Sequence, residues 1–92
     1  MFYHIFKNDE LSRFEIFVDL ELAGYLNYSL SDDLIFNVIE TFIYPQFRGR
    51  ELGKYLVLFV LKDCKIRDYN LNFSCKYAEA VYLSVDPKLD YQ

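Results

Sequence analysis

Apolar and polar residues alternate with a period of two through the first half of the chain. In Arg13–Asp19, the side chains of Phe14, Ile16 and Val18 share one face. Asp19-Leu20-Glu21 and Ser31-Asp32-Asp33 are polar turns. The pattern therefore predicts strands over Arg13–Asp19, Leu22–Leu30 and Leu34–Ile43. A shorter strand is expected over Phe2–Phe6, followed by a turn at Lys7–Glu10. Short connections imply consecutive antiparallel pairing, so this half is a meander. Tyr44-Pro45 closes it, because proline cannot donate to a ladder. Beyond that point the period changes. Leu52, Tyr55, Leu56, Phe59 and Val60 recur at helical spacing, and the helix is expected from about Arg50 to Arg67. Leu58 and Leu61 widen its apolar side. Lys62, Lys65 and Arg67 suit the negative end of its dipole. Asp68-Tyr69-Asn70 breaks the helix, Leu71–Ser74 forms a short strand, and Lys76–Leu83 forms a second helix ended by Asp86-Pro87.

A strand, a helix and a strand in succession make a right-handed crossover, so the last strand should lie parallel to Leu34–Ile43. The expected fold is α+β: a mostly antiparallel, twisted sheet of about five strands with one parallel pair and two helices. Such a sheet splays where the parallel pair diverges, and the helix N-terminus points at the mouth of the splay.

With 92 residues, the expectation is one domain over 1–92. Nine Phe and nine Tyr let so short a chain build a core, and the apolar content argues against disorder. A formal charge of −4 lacks the basic stripe of a nucleic-acid binder. No apolar run reaches membrane-spanning length, and Met1-Phe2-Tyr3-His4 does not open a secretory signal. Cys64 and Cys75 make neither a disulfide framework nor a zinc spacing, so no metal is expected. The expected setting is cytoplasmic, with free thiols.

The chemistry concentrates where the long strand feeds Tyr44-Pro45-Gln46-Phe47-Arg48-Gly49-Arg50-Glu51-Leu52-Gly53-Lys54. A loop that opens a helix presents unpaired N–H groups at the positive end of the dipole. Gly49 and Gly53 allow close approach of a ligand, and Arg48, Arg50 and Lys54 add charge suited to a pyrophosphate. These residues fit a diphosphate site. They fit equally a solvated basic turn before an ordinary helix.

Pro-x-Phe-Arg-Gly-Arg-x-Leu-Gly after a long strand resembles the coenzyme A pyrophosphate loop of the GNAT N-acetyltransferase superfamily, in particular its very short members. Ser12–Ile16, Ala23–Tyr28, Thr41 before the loop, and Ser74-Cys75-Lys76-Tyr77 after it extend the resemblance over nearly the whole chain. It implies transfer of an acetyl group from acetyl-coenzyme A, the small-molecule acyl donor, to an amine acceptor that the sequence does not name. It also implies that the strand at Phe42 and Ile43 holds the pantetheine arm. Arg48, Gly49, Arg50, Leu52, Gly53 and Lys54 would grip the pyrophosphate, with Tyr77 beside the cofactor. Three positions depart from the pattern. Glu51 stands at a usual glycine, Phe42 at a usual acidic residue, and Lys76 at a common proline.

Glu40 lies two residues before Phe42, on the same strand face, and is the candidate base; it is equally a plain strand carboxylate. Cys75, at a strand end before a helix, is the candidate thiol; it suits an acyl relay, a channel wall or simple packing. Tyr77 and Tyr82 are candidate proton donors or packing aromatics. His4 reads as an edge residue and Cys64 as core. Two other readings stay open: a non-catalytic acyl-coenzyme A-binding or sensing module, and an interaction domain whose exposed aromatics form a homo-oligomer.

Overall fold

Four antiparallel strands come first in the computed structural model, which describes residues 2–85. They are β1 (Tyr3–Asn8), β2 (Arg13–Val18), β3 (Glu21–Leu30) and β4 (Ile35–Ile43). A 3₁₀ turn at Pro45–Phe47 leads to helix α1 (Leu52–Ile66), then β5 (Asn70–Phe73) and helix α2 (Lys76–Ser84). The sheet order is β1-β2-β3-β4-β5, and only β4 and β5 run parallel. The mixed sheet with one parallel pair is the expected one, and element edges move by one or two residues. β1 runs on to Asn8, whose side chain accepts the Leu11 amide and closes the turn. Leu34 falls outside β4 because its φ of 63° breaks the extended run. The expected helix stop at Asp86-Pro87 lies outside the described residues.

Burial alternates strictly along β2, with Phe14, Ile16 and Val18 buried. Both helices cover that face. Leu52, Leu56, Val57, Val60, Leu61 and Cys64 of α1 join Ala78 and Val81 of α2 over Leu26, Phe36 and Val38. Each large apolar side chain buried there stabilises the fold by about 2 kcal/mol. Phe59, expected on the inward stripe, is 43 % exposed; the helix buries Val57, Leu61 and Cys64 instead. The opposite sheet face has no helix over it among the described residues.

Two irregularities shape the far end of β4. Ile39 is an extra residue, because Asn27 pairs with Glu40 while Tyr28 pairs with Val38. At the same point β5 leaves: its last pairing is Phe73 with Val38, whose carbonyl takes the amides of both Ser74 and Cys75. The bulge shifts the parity of the strand. Phe36 and Val38 face the helices before it. After it, Thr41 lies opposite the buried Leu26, while Glu40 and Phe42 turn to the uncovered face with Asn27 and Tyr25. Beyond Val38, β4 pairs with β3 alone.

Candidate functional site

The Phe42 carbonyl points at β3, where it would abut any Cβ placed on Gly24. Strand alternation then turns the backbone groups of Thr41 and Ile43 outward, to the edge that β5 has left. This unpaired edge is one wall of a cavity of about 330 Å³. Thr41, Phe42 and Ile43 line it from β4; Phe47, Arg48, Gly49 and Glu51 from the loop; Leu52 and Gly53 from α1; Tyr77 from α2.

The loop is anchored by the buried Phe47 ring and by the amides of Phe47 and Arg48, which bond the carbonyls of Tyr44 and Pro45. Gly49, at φ 84°, and Glu51, at φ 59° and ψ 21°, are both left-handed. That geometry lets the chain turn into α1 at Leu52 rather than at Arg50. Glu51 occupies the N-cap, and no side chain caps the helix. The first helical bond runs from the Tyr55 amide to the Glu51 carbonyl. The amides of Leu52, Gly53 and Lys54 therefore have no partner within the helix and sum at its positive end. Gly53 keeps that end open on one side, and the Tyr77 phenol fills the space beside it. A Cβ on Gly53 would sit 3.1 Å from Tyr77 Oη.

Electrostatically the cavity is mixed. Burial, reinforced by Cys75 and Glu51, pushes the Tyr77 phenol above its ordinary range, so it keeps its proton at neutral pH. Among the described residues Glu51 is the only acidic one on the lining. Arg48 Nε donates to the Ile43 carbonyl at 2.8 Å, and its guanidinium lies 5.4 Å from the centre of the Phe42 ring. The Arg50 guanidinium lies 5.7 Å from the Phe47 ring, on an exposed side chain.

Of the residues singled out from sequence, Phe42, Ile43, Arg48, Gly49, Leu52, Gly53 and Tyr77 come together around this cavity. Glu40, Arg50, Lys54 and Cys75 do not line it. Glu40 is exposed, and its Oε1 accepts the Asn27 side-chain amide at 2.9 Å. Lys54 points out from the first turn of α1. Cys75 caps α2: its sulfur accepts the Ala78 amide at 3.4 Å and reaches Thr41 Oγ1 at 3.6 Å. Thr41 was legible only as a motif position, and its place on the wall depends on the Ile39 bulge. Tyr82 packs on Phe73, 5.3 Å between ring centres, away from the cavity. A second hollow of about 510 Å³ is lined by Phe6, Phe17 and Leu20 with His4 and Glu15, and no helix N-terminus opens into it among the described residues. Among the described residues no group of His, Cys, Asp or Glu is placed to hold a metal ion, and no helix is long and apolar enough to cross a membrane.

A family model described as GCN5-related N-acetyl-transferase matches residues 13–91. No curated protein matches the chain. Among solved structures, the fold is similar to a ribosomal-protein-alanine N-acetyltransferase from Brucella melitensis biovar Abortus 2308. The TM-score is 0.65 and the identity 16 %, over 87 % of this chain and 64 % of that one. It is similar to the PaiA N-acetyltransferase of Thermoplasma acidophilum in complex with coenzyme A, with TM-score 0.62 and 16 % identity, over 77 % and 47 %. A protein belonging to the GNAT family from Xanthomonas campestris pv. campestris gives TM-score 0.68 and 17 % identity, over 96 % and 87 %. The chain thus spans less than two thirds of the first two neighbours, and at these identities the likeness is one of fold.

Proposed function

Because the chain belongs to the GCN5-related N-acetyltransferase family, we propose that it transfers an acetyl group from acetyl-coenzyme A to an amine. One observation carries this reading: the uncapped N-terminus of α1 and the unpaired edge of β4 wall the same cavity. Amides at a helix N-terminus suit the anionic end of the donor. The outward Thr41 and Ile43 backbone groups suit the amides of an extended pantetheine arm. The donor supplies an acetyl group activated as a thioester. In this reading Leu52, Gly53 and Lys54 bind the diphosphate through their amides, and Arg50 adds charge from the loop.

In this reading the amine approaches from the uncovered sheet face, where Glu40, oriented by Asn27, takes its proton through water. The amine nitrogen bonds the acetyl carbon as the carbon–sulfur bond breaks. The departing thiolate takes a proton from solvent, while the Tyr77 phenol, beside Gly53, lies against the diphosphate end of the donor. Cys75 acts through Thr41 and α2, which it caps, and forms no bond to the acetyl group.

A specific feature favours the alternative of a non-catalytic acyl-coenzyme A-binding module. The Phe42 ring stands where the family usually carries an acid. It is packed by Tyr25 and Tyr44, at ring-centre distances of 5.5 and 5.1 Å. Incubating the protein with acetyl-coenzyme A and a panel of amines, with release of free thiol as readout, separates the two. Amine-dependent thiol release supports the transferase. Saturable binding of coenzyme A without release supports the binding module.

A further inference from the structure

We infer that Arg48 makes binding of the acyl donor conditional on its diphosphate, so that it sets donor specificity rather than merely adding charge to the loop. The inference rests on the acyl-donor reading above and deepens it. Beyond the bulge, β4 offers an extended ligand two outward-facing residues, Thr41 and Ile43. Arg48 occupies one of these positions. Its Nε donates to the Ile43 carbonyl at 2.8 Å, and the guanidinium lies against the Phe42 ring. Phe42 projects to the sheet face opposite the helices, with Tyr25. The guanidinium is thus committed to the strand edge, whereas the free amides gather at the start of α1.

An amide-bearing arm laid along β4 competes with Arg48 for the Ile43 carbonyl. A donor with a diphosphate offers the displaced guanidinium a replacement, because a charge-assisted bond to phosphate is stronger than one to a neutral carbonyl. A donor that ends before the diphosphate offers none, and pays for the lost bond out of its own contacts. Arg48 therefore favours coenzyme A thioesters over short pantetheine thioesters. The side chain is exposed, so the bond to be displaced is a modest one.

The test is titration calorimetry of coenzyme A and of pantetheine into the wild type, Arg48→Ala and Arg48→Lys. Circular dichroism melts confirm that the variants fold. Pantetheine affinity should rise roughly three- to tenfold in Arg48→Ala, which removes the donor to the Ile43 carbonyl. Coenzyme A affinity should fall in Arg48→Ala and stay near the wild type in Arg48→Lys, which keeps the charge and an N–H donor. Pantetheine binding that weakens or stays the same in Arg48→Ala overturns the inference and leaves Arg48 a loop anchor. If coenzyme A binds none of the three proteins, the acyl-donor reading itself falls, and the inference with it.

Discussion

Glu51 combines two costs that substitution can separate. Glu51 lines the cavity at the positive end of α1, and its backbone is left-handed, at φ 59°. Two unit charges about 6 Å apart repel by about 0.7 kcal/mol in bulk water, and by more beside a protein. A diphosphate brings two such charges, and physiological salt roughly halves the sum. The net is about 0.7 kcal/mol at the bulk-water value and about 1 kcal/mol once the lower dielectric beside the protein is included, the latter roughly fivefold in affinity. Removing the charge by Glu51→Gln should therefore tighten coenzyme A about fivefold. Glu51→Gly should tighten it at least as much, since it also clears the Cβ from the amides. The left-handed backbone costs a non-glycine residue about 1–2 kcal/mol, and Gly returns about 0.4–1 kcal/mol of that through the looser unfolded chain. Both variants lose the same favourable term between the carboxylate and the helix dipole, so it cancels between them. Glu51→Gly should thus be more stable than Glu51→Gln by about 0.5–1 kcal/mol, and melt roughly 3–6 °C higher. The helix penalty usually charged to Gly does not apply, because residue 51 precedes the helix. Calorimetric titration reads the first effect and a thermal melt the second. An unchanged affinity in Glu51→Gln would show that the carboxylate stands clear of the ligand. Equal melting temperatures would refute the strain.

Gly24→Ala should destabilise by about 2 kcal/mol, because its Cβ meets the Phe42 carbonyl and the Ile43 Cα, backbone atoms that cannot yield without parting β3 from β4; a chemical melt checks this. Burial pushes the Cys64 thiol from 9.0 up to about 12. The unfolded thiol ionises first, so the stabilisation is whole below pH 9 and is lost as pH rises toward 12. Roughly 1 kcal/mol should go between pH 9 and 10, and Cys64→Ala should flatten that part of the curve. Iodoacetamide at neutral pH should modify the half-buried Cys75 and spare Cys64. Mass spectrometry after incubation with acetyl-coenzyme A should find no acetyl group on Cys75; an adduct chased off by an amine would establish a covalent relay instead.

The strands, the helices and the parallel pair were legible because two periods, 2.0 and 3.6, cover most of the chain. The loop was legible too, since Gly49 and Gly53 alternate with Arg48, Arg50 and Lys54 at a strand-to-helix junction. The conformations within it were not. A glutamate with a left-handed backbone contradicts local preference, and only the turn that brings α1 against β4 requires it. The Ile39 bulge left no mark either, because the mixed run Ile35–Ile43 reads equally well in either parity. That bulge puts Thr41 on the cavity wall and turns Glu40 and Phe42 to the open face. The commitment of Arg48 to the Ile43 carbonyl depends on a side-chain path that no spacing rule encodes.

The central claim is that the donor lies between the start of α1 and the open edge of β4. Coenzyme A titrated into the ¹⁵N-labelled protein, followed amide by amide, tests it most directly. Saturable shifts should be largest at Leu52, Gly53 and Lys54, should continue along β4 at Thr41 and Ile43, and should leave His4, Phe6 and Phe17 still. Shifts centred on His4, Phe6 and Phe17, or none that saturate, would contradict the claim.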